Sequence, residues 1–122
     1  MPNYGVKQSG GVLTEIQPGD QFVLFNAESP TPPQASVAFN TGYQPGGQSP
    51  QIAFTIDFAT APSASEVHIQ GANINADADF QDLYVSTNVQ HDLYLDNGKL
   101  AFYRAKLVGN TGGGALTVIA QR

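Results

Sequence analysis

Apolar and polar residues alternate with a period of two along most of this chain. In the segment QIAFTIDFA, residues 51–59, the side chains of Ile52, Phe54, Ile56 and Phe58 fall on one face. Successive side chains of a β-strand point to opposite faces, so the segment predicts a strand with one buried face. The same alternation predicts further inward-facing sets: Val67 and Ile69; Leu83, Val85 and Val89; Leu116, Val118 and Ala120; and Val37 and Phe39.

Two segments depart from simple alternation. Residues 22–25, Phe-Val-Leu-Phe, are apolar at every position, which predicts a strand that is central in its sheet or lies at an interface. After Phe102 the apolar set shifts by one position to Tyr103, Ala105 and Leu107. A β-bulge near Phe102 or Tyr103 would explain that shift, because a bulge adds one residue to one strand of a pair.

The strongest local signal is the dipeptide Asn-Gly at 97–98, which stands between two apolar runs. Such a dipeptide is typical of a two-residue β-hairpin loop, since both turn positions need positive φ. The predicted hairpin pairs Asp96 with Lys99 as a cross-strand ion pair, and Leu95 with Leu100. The preceding and following residues would then form two neighbouring strands of one sheet.

Proline and glycine mark the loops, and no segment combines an apolar face at helical spacing with good helix-forming residues. Eight or nine short strands separated by turn-rich segments predict an all-β protein, a β-sandwich or jelly roll of antiparallel strands. We expect residues 1–10 to form an N-terminal arm that is ordered only where something holds it. Residues 11–122 are expected to form a single β-sandwich domain.

Composition excludes several classes of protein. The chain has no Cys, so it has neither a disulfide framework nor a thiolate metal site. It has 5 Lys and Arg in 122 residues, too few for the basic patch that nucleic-acid binding needs. No apolar run approaches the length that spans a membrane, and no signal peptide is recognisable. Residues 34–98 contain acidic charges only and residues 99–122 basic charges only, which indicates charge pairing within the fold or between subunits.

The segment NINADADF, residues 73–80, is rich in Asn and Asp, and Asp82 follows it. An EF-hand loop needs Gly at its sixth and Glu at its twelfth position, and no frame of this segment supplies both. Asp77, Asp79 and Asp82 are weak candidates for an irregular Ca²⁺ site. The favoured interpretation is a loop whose Asn and Asp side chains bond to their own backbone, so no cofactor or metal is expected.

No catalytic site is expected either. His68 and His91 are distant in the sequence and have no Cys beside them, which makes a poor zinc site. The sequence has no G-x-S-x-G motif and nothing that brings two carboxylates together. Tyr84, Tyr94 and Tyr103 are predicted to point outward or nearly so, and could serve as sugar-binding platforms. We favour half-buried or interface tyrosines instead.

Two stretches carry a family resemblance: IDFATAPSASEVHIQGANINADADFQDLYVS, and AFYRAKLVGNTGGGALTVIAQR at the C-terminus. The order of strands, turns, Asp-rich loop and Gly-rich segment in these stretches resembles that of small β-sandwich virion proteins of tailed bacteriophages, of the head decoration or cement type. The resemblance covers roughly residues 51–122. It implies a structural protein, assembled in the host cytoplasm, that binds the outer surface of the head and stabilises the shell. The implied partners are the major capsid protein and further copies of the chain, as a dimer or trimer.

The contact surfaces implied by such a role are the segments 1–10, 28–34 and 43–50. A tail-tip or receptor- and glycan-binding β-sandwich module is the alternative interpretation. It would bind its ligand through tyrosines such as Tyr43 and Tyr84. The residues predicted at interfaces are Tyr4, Val6, Phe22, Val23, Phe25, Pro32, Pro33, Tyr43 and Ile119.

Overall fold

The fold consists of short antiparallel strands. The structure is a computed structural model, and it describes residues 8–9, 12–13, 19–43 and 50–122. These residues contain no helix that could cross a membrane; their one helical turn is a 3₁₀ turn at Asp77–Asp79. The strands are β1 (Gln8–Ser9), β2 (Val12–Leu13), β3 (Gln21–Glu28), β4 (Gln34–Ala35), β5 (Phe39–Asn40), β6 (Ile52–Phe58), β7 (Ala64–Ala72), β8 (Gln81–Ser86), β9 (His91–Asp96), β10 (Phe102–Thr111) and β11 (Leu116–Gln121).

The strands form two antiparallel sheets and a separate β1–β2 pair. The four-stranded sheet has the order β3-β11-β6-β9, and the five-stranded sheet has the order β4-β10-β7-β8, with β5 also paired to β10. Strands β4 and β5 therefore share one strand position beside β10. From β3 onward the chain changes sheet at every connection except β4–β5 and β7–β8, which is the connectivity of a jelly roll. The predicted fold class is confirmed.

The core fills the space between the two sheets. Phe39 of the five-stranded sheet lies at its centre, with its ring centroid 5.1 Å from that of Phe22 and 6.2 Å from that of Phe54, both on the four-stranded sheet. The Tyr103 ring stacks on Phe39 from its own sheet at 5.9 Å. Burial of these large rings provides the main driving force for joining the sheets. The predicted inward sets of β6, β7 and β11 all lie in this core.

The predicted Asn-Gly hairpin is wrong. Strand β9 pairs with β6 in one sheet, and β10 pairs with β7 in the other, so residues 97–101 cross between sheets. The physical reason is the carboxylate of Asp96, which accepts hydrogen bonds from the hydroxyls of Tyr94 and Tyr103 and from the Gly98 amide. These bonds draw the chain inward toward Tyr103. Gly98 still has the positive φ, 73°, that the turn signal predicted.

The predicted facing of β8 is wrong for Val85, which is exposed, and for Ser86, which is buried. Leu83 packs against the core as predicted. Ser86 lies opposite the inward-facing Val67 of β7, and this pairing turns Val85 outward. A register shift between Ile69 and Gln70 makes Leu83 the extra residue of a bulge. Val37 was also predicted to face inward but is exposed. It lies before the short strand β5.

The doubly apolar segment 22–25 owes its pattern to a bulge. Val23 pairs with Ile119 and Phe25 pairs with Val118, which leaves Leu24 as the extra residue and lets Phe22 and Phe25 both point inward. Within the described residues β3 lies at the end of its sheet, so the predicted central position is wrong.

The bulge predicted near Phe102 or Tyr103 is absent. Pairing of β10 with β7 is regular from Phe102 to Leu107, and the irregularity lies between Leu107 and Gly109. Tyr103, Ala105 and Leu107 face the core as predicted.

Candidate interaction surface

The outer face of the four-stranded sheet presents a row of apolar side chains to solvent. Strand pairing places Val23, Ile119, Thr55 and Leu93 side by side across β3, β11, β6 and β9. The adjacent row has Gln21, Gln121, Ala53 and Leu95 in the same four strands. We call these two rows the apolar face.

The apolar face is unusual because large apolar side chains stay exposed on it. Leu93 is 54% exposed, Leu95 56% and Val23 39%. The ionisable side chains nearest to it in the strand register are those of Asp57 and His91, which are cross-strand partners at one end of the face. Nδ1 of His91 lies 3.0 Å from Oδ1 of Asp57, within hydrogen-bond distance. Exposed large apolar side chains grouped on one sheet face make this face a candidate surface for contact with another protein.

Two of the interface residues predicted from the sequence meet on this face. Ile119 and Val23 are direct cross-strand partners. Leu93 and Leu95 were not predicted there, because the Asn-Gly signal placed them in a hairpin. Their position could have been predicted from the alternation within β9 itself, because Asp92, Tyr94 and Asp96 occupy the opposite face.

The other predicted interface residues do not join the apolar face. Phe22 and Phe25 are buried in the domain core. Pro32 and Pro33 lie in the loop between β3 and β4, joined by a cis peptide bond, and Tyr43 is half-buried after β5. Tyr4 and Val6 lie outside the described residues, as do most of the segments 1–10 and 43–50.

The outer face of the five-stranded sheet is mainly polar, although Val85 is 45% exposed on it. The guanidinium of Arg104 is covered by the loop 73–80. Its Nη1 donates to Asp77 at 2.6 Å, its Nε donates to Gln70 at 2.8 Å, and its central carbon lies 4.1 Å from the centre of the Phe80 ring. The side chain is only 9% exposed as a result. The Asn- and Asp-rich segment thus covers a buried cation.

Hydrogen bonds extend from this cation along β7. Gln70 donates to Asp82 at 2.8 Å, and the same carboxylate lies 2.9 Å from Nδ1 of His68. Nε2 of His68 meets the carboxylate of Glu66. Burial disfavours the charged imidazole, but the hydrogen bonds with Glu66 and Asp82 outweigh it and raise the pKa of His68. The hydrogen bond from Gln70 lowers the pKa of Asp82.

The three weak Ca²⁺ candidates are not arranged as a site. Asp77 is committed to Arg104 and Asp82 to Gln70 and His68. Within the part of the chain that the structure describes, no group of three His, Cys, Asp or Glu side chains could hold a metal ion.

The tyrosines form an internal cluster at the β8–β9 side of the sandwich. The rings of Tyr84 and Tyr94 stack with centroids 4.8 Å apart. Tyr84 donates to Asp92, and Tyr94 donates to Asp96 at 2.6 Å. Burial, followed by the bond to Asp96, raises the pKa of Tyr94 and of Tyr103. Tyr103 is fully buried, as the alternation along β10 predicted, so the outward position considered for a sugar-binding platform is wrong.

No protein-family model matches the chain, and no curated protein sequence matches it. Its structure is similar to the crystal structure of SPBc2 prophage-derived protein YomS, with a TM-score of 0.54. The two sequences are 17% identical over an alignment that covers 88% of this chain and 96% of that chain. At this identity the similarity establishes a common fold.

Proposed function

We propose that the chain is a bacteriophage virion structural protein, a decoration or cement protein that binds the outer surface of the head and stabilises the shell. In this role the major capsid protein and further copies of the chain are its partners. Such a protein stabilises the shell through the surface area that it buries against its partners. Burial of apolar surface between proteins contributes roughly 25 cal/mol per Å² before the cost of association is subtracted.

The observation that carries the proposal is the apolar face. It spans four strands and keeps Leu93 and Leu95 more than half exposed. The opposite side of the sandwich carries the hydrogen-bonded charges around Arg104 and His68. A molecule with one apolar and one charged side suits a position on a protein shell, with the charged side in solvent.

The common fold with a prophage-derived protein supports a phage origin. It supports head and tail locations equally, so the choice of the head depends on the sequence resemblance and on the surface.

The test is co-sedimentation with heads of the encoding phage that were assembled without this protein. We expect saturable binding at a ratio that matches two-fold or three-fold axes of the shell, and shells that resist heating better when the protein is bound. Absence of binding to intact shells would overturn the proposal.

The tail-tip or glycan-binding alternative is less well supported. It needs aromatic platforms, but Tyr103 is buried and the hydroxyls of Tyr84 and Tyr94 are bonded to Asp92 and Asp96. Binding to host cells or to a glycan, together with no binding to heads, would favour it.

A further inference from the structure

We propose that a cavity at the end of the five-stranded sheet binds an arginine side chain presented by another protein. The cavity has a volume of about 300 Å³ and is lined by the end of β7, the loop 73–80, the start of β8 and Leu100 of the crossing segment 97–101. This volume is at the lower end of the range for ligand sites, which suits a single side chain. The cavity lies apart from the apolar face, so the inference goes beyond the proposed function and does not depend on it.

The loop that forms one wall of the cavity is held in place from two sides. Arg104 fixes it through Asp77 and Phe80. Oδ1 of Asn73 accepts a hydrogen bond from the Ala101 amide at 3.3 Å, which joins the loop to the crossing segment. A cavity whose wall is already fixed does not have to be assembled when a ligand arrives, so less ordering entropy is lost on binding.

Part of the lining is apolar. Leu83 and Leu100 pack against the core, and both side chains reach the backbone of Gly71, where an added Cβ would lie 2.9 Å and 2.5 Å from their Cδ1 atoms. Ile74 is 63% exposed, so the apolar lining extends to the surface of the molecule. A lining of this kind suits the methylene stem of a long side chain that enters from solvent.

The polar part of the lining favours a cation. Asp79 lines the cavity and is exposed. Among the ion pairs of the described residues, Asp77 pairs with Arg104 and Asp82 with His68, whereas Asp79 takes part in none. The net charge of −5 attracts a cation and opposes an anion. A neutral ligand would desolvate Asp79 without giving it a partner, which costs free energy.

An arginine side chain meets both requirements of the lining. Its stem can lie along the leucines, while its guanidinium has donors for the Asp79 carboxylate and for the amide oxygen of Gln81, which also lines the cavity. Arginine is also enriched among the residues that anchor one protein in a pocket of another. The chemistry of the cavity therefore points to a partner with a protruding arginine.

The experiment is an NMR titration of the backbone amides of the full chain with three blocked tripeptides, acetyl-Gly-X-Gly-amide. X is arginine, citrulline, which has the shape of arginine without its charge, or glutamate. We expect the arginine peptide to shift the amides of residues 71–74 saturably, with a Kd on the order of 1–10 mM, since one side chain binds without a surrounding interface. The citrulline peptide should bind at least two-fold more weakly, and the glutamate peptide should give no saturable shift.

Two variants that remove the same charge locate the site. Asp79→Asn should weaken binding of the arginine peptide by about two- to five-fold, the contribution of an exposed ion pair. Asp57→Asn, on the four-stranded sheet, is the matched control and should leave the Kd unchanged. The proposal would be overturned by equal binding of the arginine and citrulline peptides, by equal effects of the two variants, or by the absence of saturable shifts at residues 71–74.

Discussion

The guanidinium carbon of Arg104 lies 4.1 Å from the centre of the Phe80 ring, in the geometry of a cation–π contact. Arg104 projects from the outer side of the sheet, and Phe80 ends the loop that folds over it. This contact, with the bonds to Gln70 and Asp77, explains how a charged residue in a strand becomes buried without entering the core.

Replacing Arg104 should destabilise the domain far more than replacing its exposed ion-pair partner. Arg104→Ala removes the contacts of a buried cation with Gln70, Asp77 and Phe80, and it leaves Oε1 of Gln70 without its hydrogen-bond donor. We therefore expect a loss of about 2–4 kcal/mol in the free energy of unfolding. Asp77→Asn should change little, because the Asp77 side chain is 94% exposed and solvent screens the pair. Urea denaturation of both variants measures the difference. Equal losses would mean that the Asp77 pair, rather than the contacts with Gln70 and Phe80, holds the guanidinium.

Stability should depend on pH through His68. The groups that face its ring are Glu66 on the same strand, Asp82 on β8 and, as cross-strand partner on β10, Lys106. The raised pKa of His68 means that folding favours the protonated ring. This contribution is complete below about pH 6.5, the value in the unfolded chain, and is lost as pH rises through the folded pKa.

The lowered pKa of Asp82 makes the stability of the fold decrease at acidic pH. Its contribution is present above about pH 3.8–3.9, its ordinary value, and is lost as pH falls through the folded pKa. Melting temperatures measured from pH 3 to pH 9 should therefore decline on both sides of a maximum in the mildly acidic range. His68→Gln should flatten the decline above pH 6.5. A wild-type profile that is flat between pH 6 and pH 8 would contradict the assignment.

The hydroxyl of Tyr103 should be coupled energetically to Asp96. It donates to that carboxylate and accepts a bond from the Leu100 amide at 3.2 Å. Tyr103→Phe removes both bonds in a buried site and should cost about 1–3 kcal/mol of unfolding free energy. In a background of Asp96→Ala, the same change should cost clearly less, because one partner is already gone. Additive losses in this double-mutant cycle would show that the two groups act independently.

Gly114 should tolerate no side chain. A Cβ at this position would lie 2.7 Å from the backbone nitrogen of Thr60 and 2.8 Å from its Cβ. Gly114→Ala forces the backbone at Thr60 to move and should cost about 1–3 kcal/mol, as overpacking does. Gly109→Ala is the control, since its nearest neighbour would be 3.8 Å away, an ordinary contact. We expect Gly109→Ala to be neutral or to stabilise by up to about 1 kcal/mol, measured by thermal or urea unfolding.

Local alternation was sufficient wherever a strand paired regularly with its neighbour. The inward faces of β6 and β11 followed directly from the spacing of Ile52, Phe54, Leu116 and Val118, because a regular strand has one core side and one solvent side. Alternation was insufficient at bulges. An extra residue such as Leu24 or Leu83 changes the facing of every residue beyond it, and no local pattern marks where the partner strand makes room.

The candidate surface could be predicted only in part, for the same reason. Ile119 was placed outward by the alternation of its own strand. The position of Leu93 could not be predicted in this way, because β9 does not form the predicted hairpin and pairs instead with β6, a strand distant in the sequence.

The sequence by itself determined that this is an all-β protein without thiol chemistry, with eight or nine short strands that form a sandwich or jelly roll. These properties are set by composition and by the period of apolar residues, which act locally. The tertiary structure alone decided which strands share a sheet, that the loop 73–80 covers Arg104, and that Val23, Ile119 and Leu93 form one row. Those outcomes depend on contacts between residues far apart in the chain, and their energies exist only once both sheets are packed.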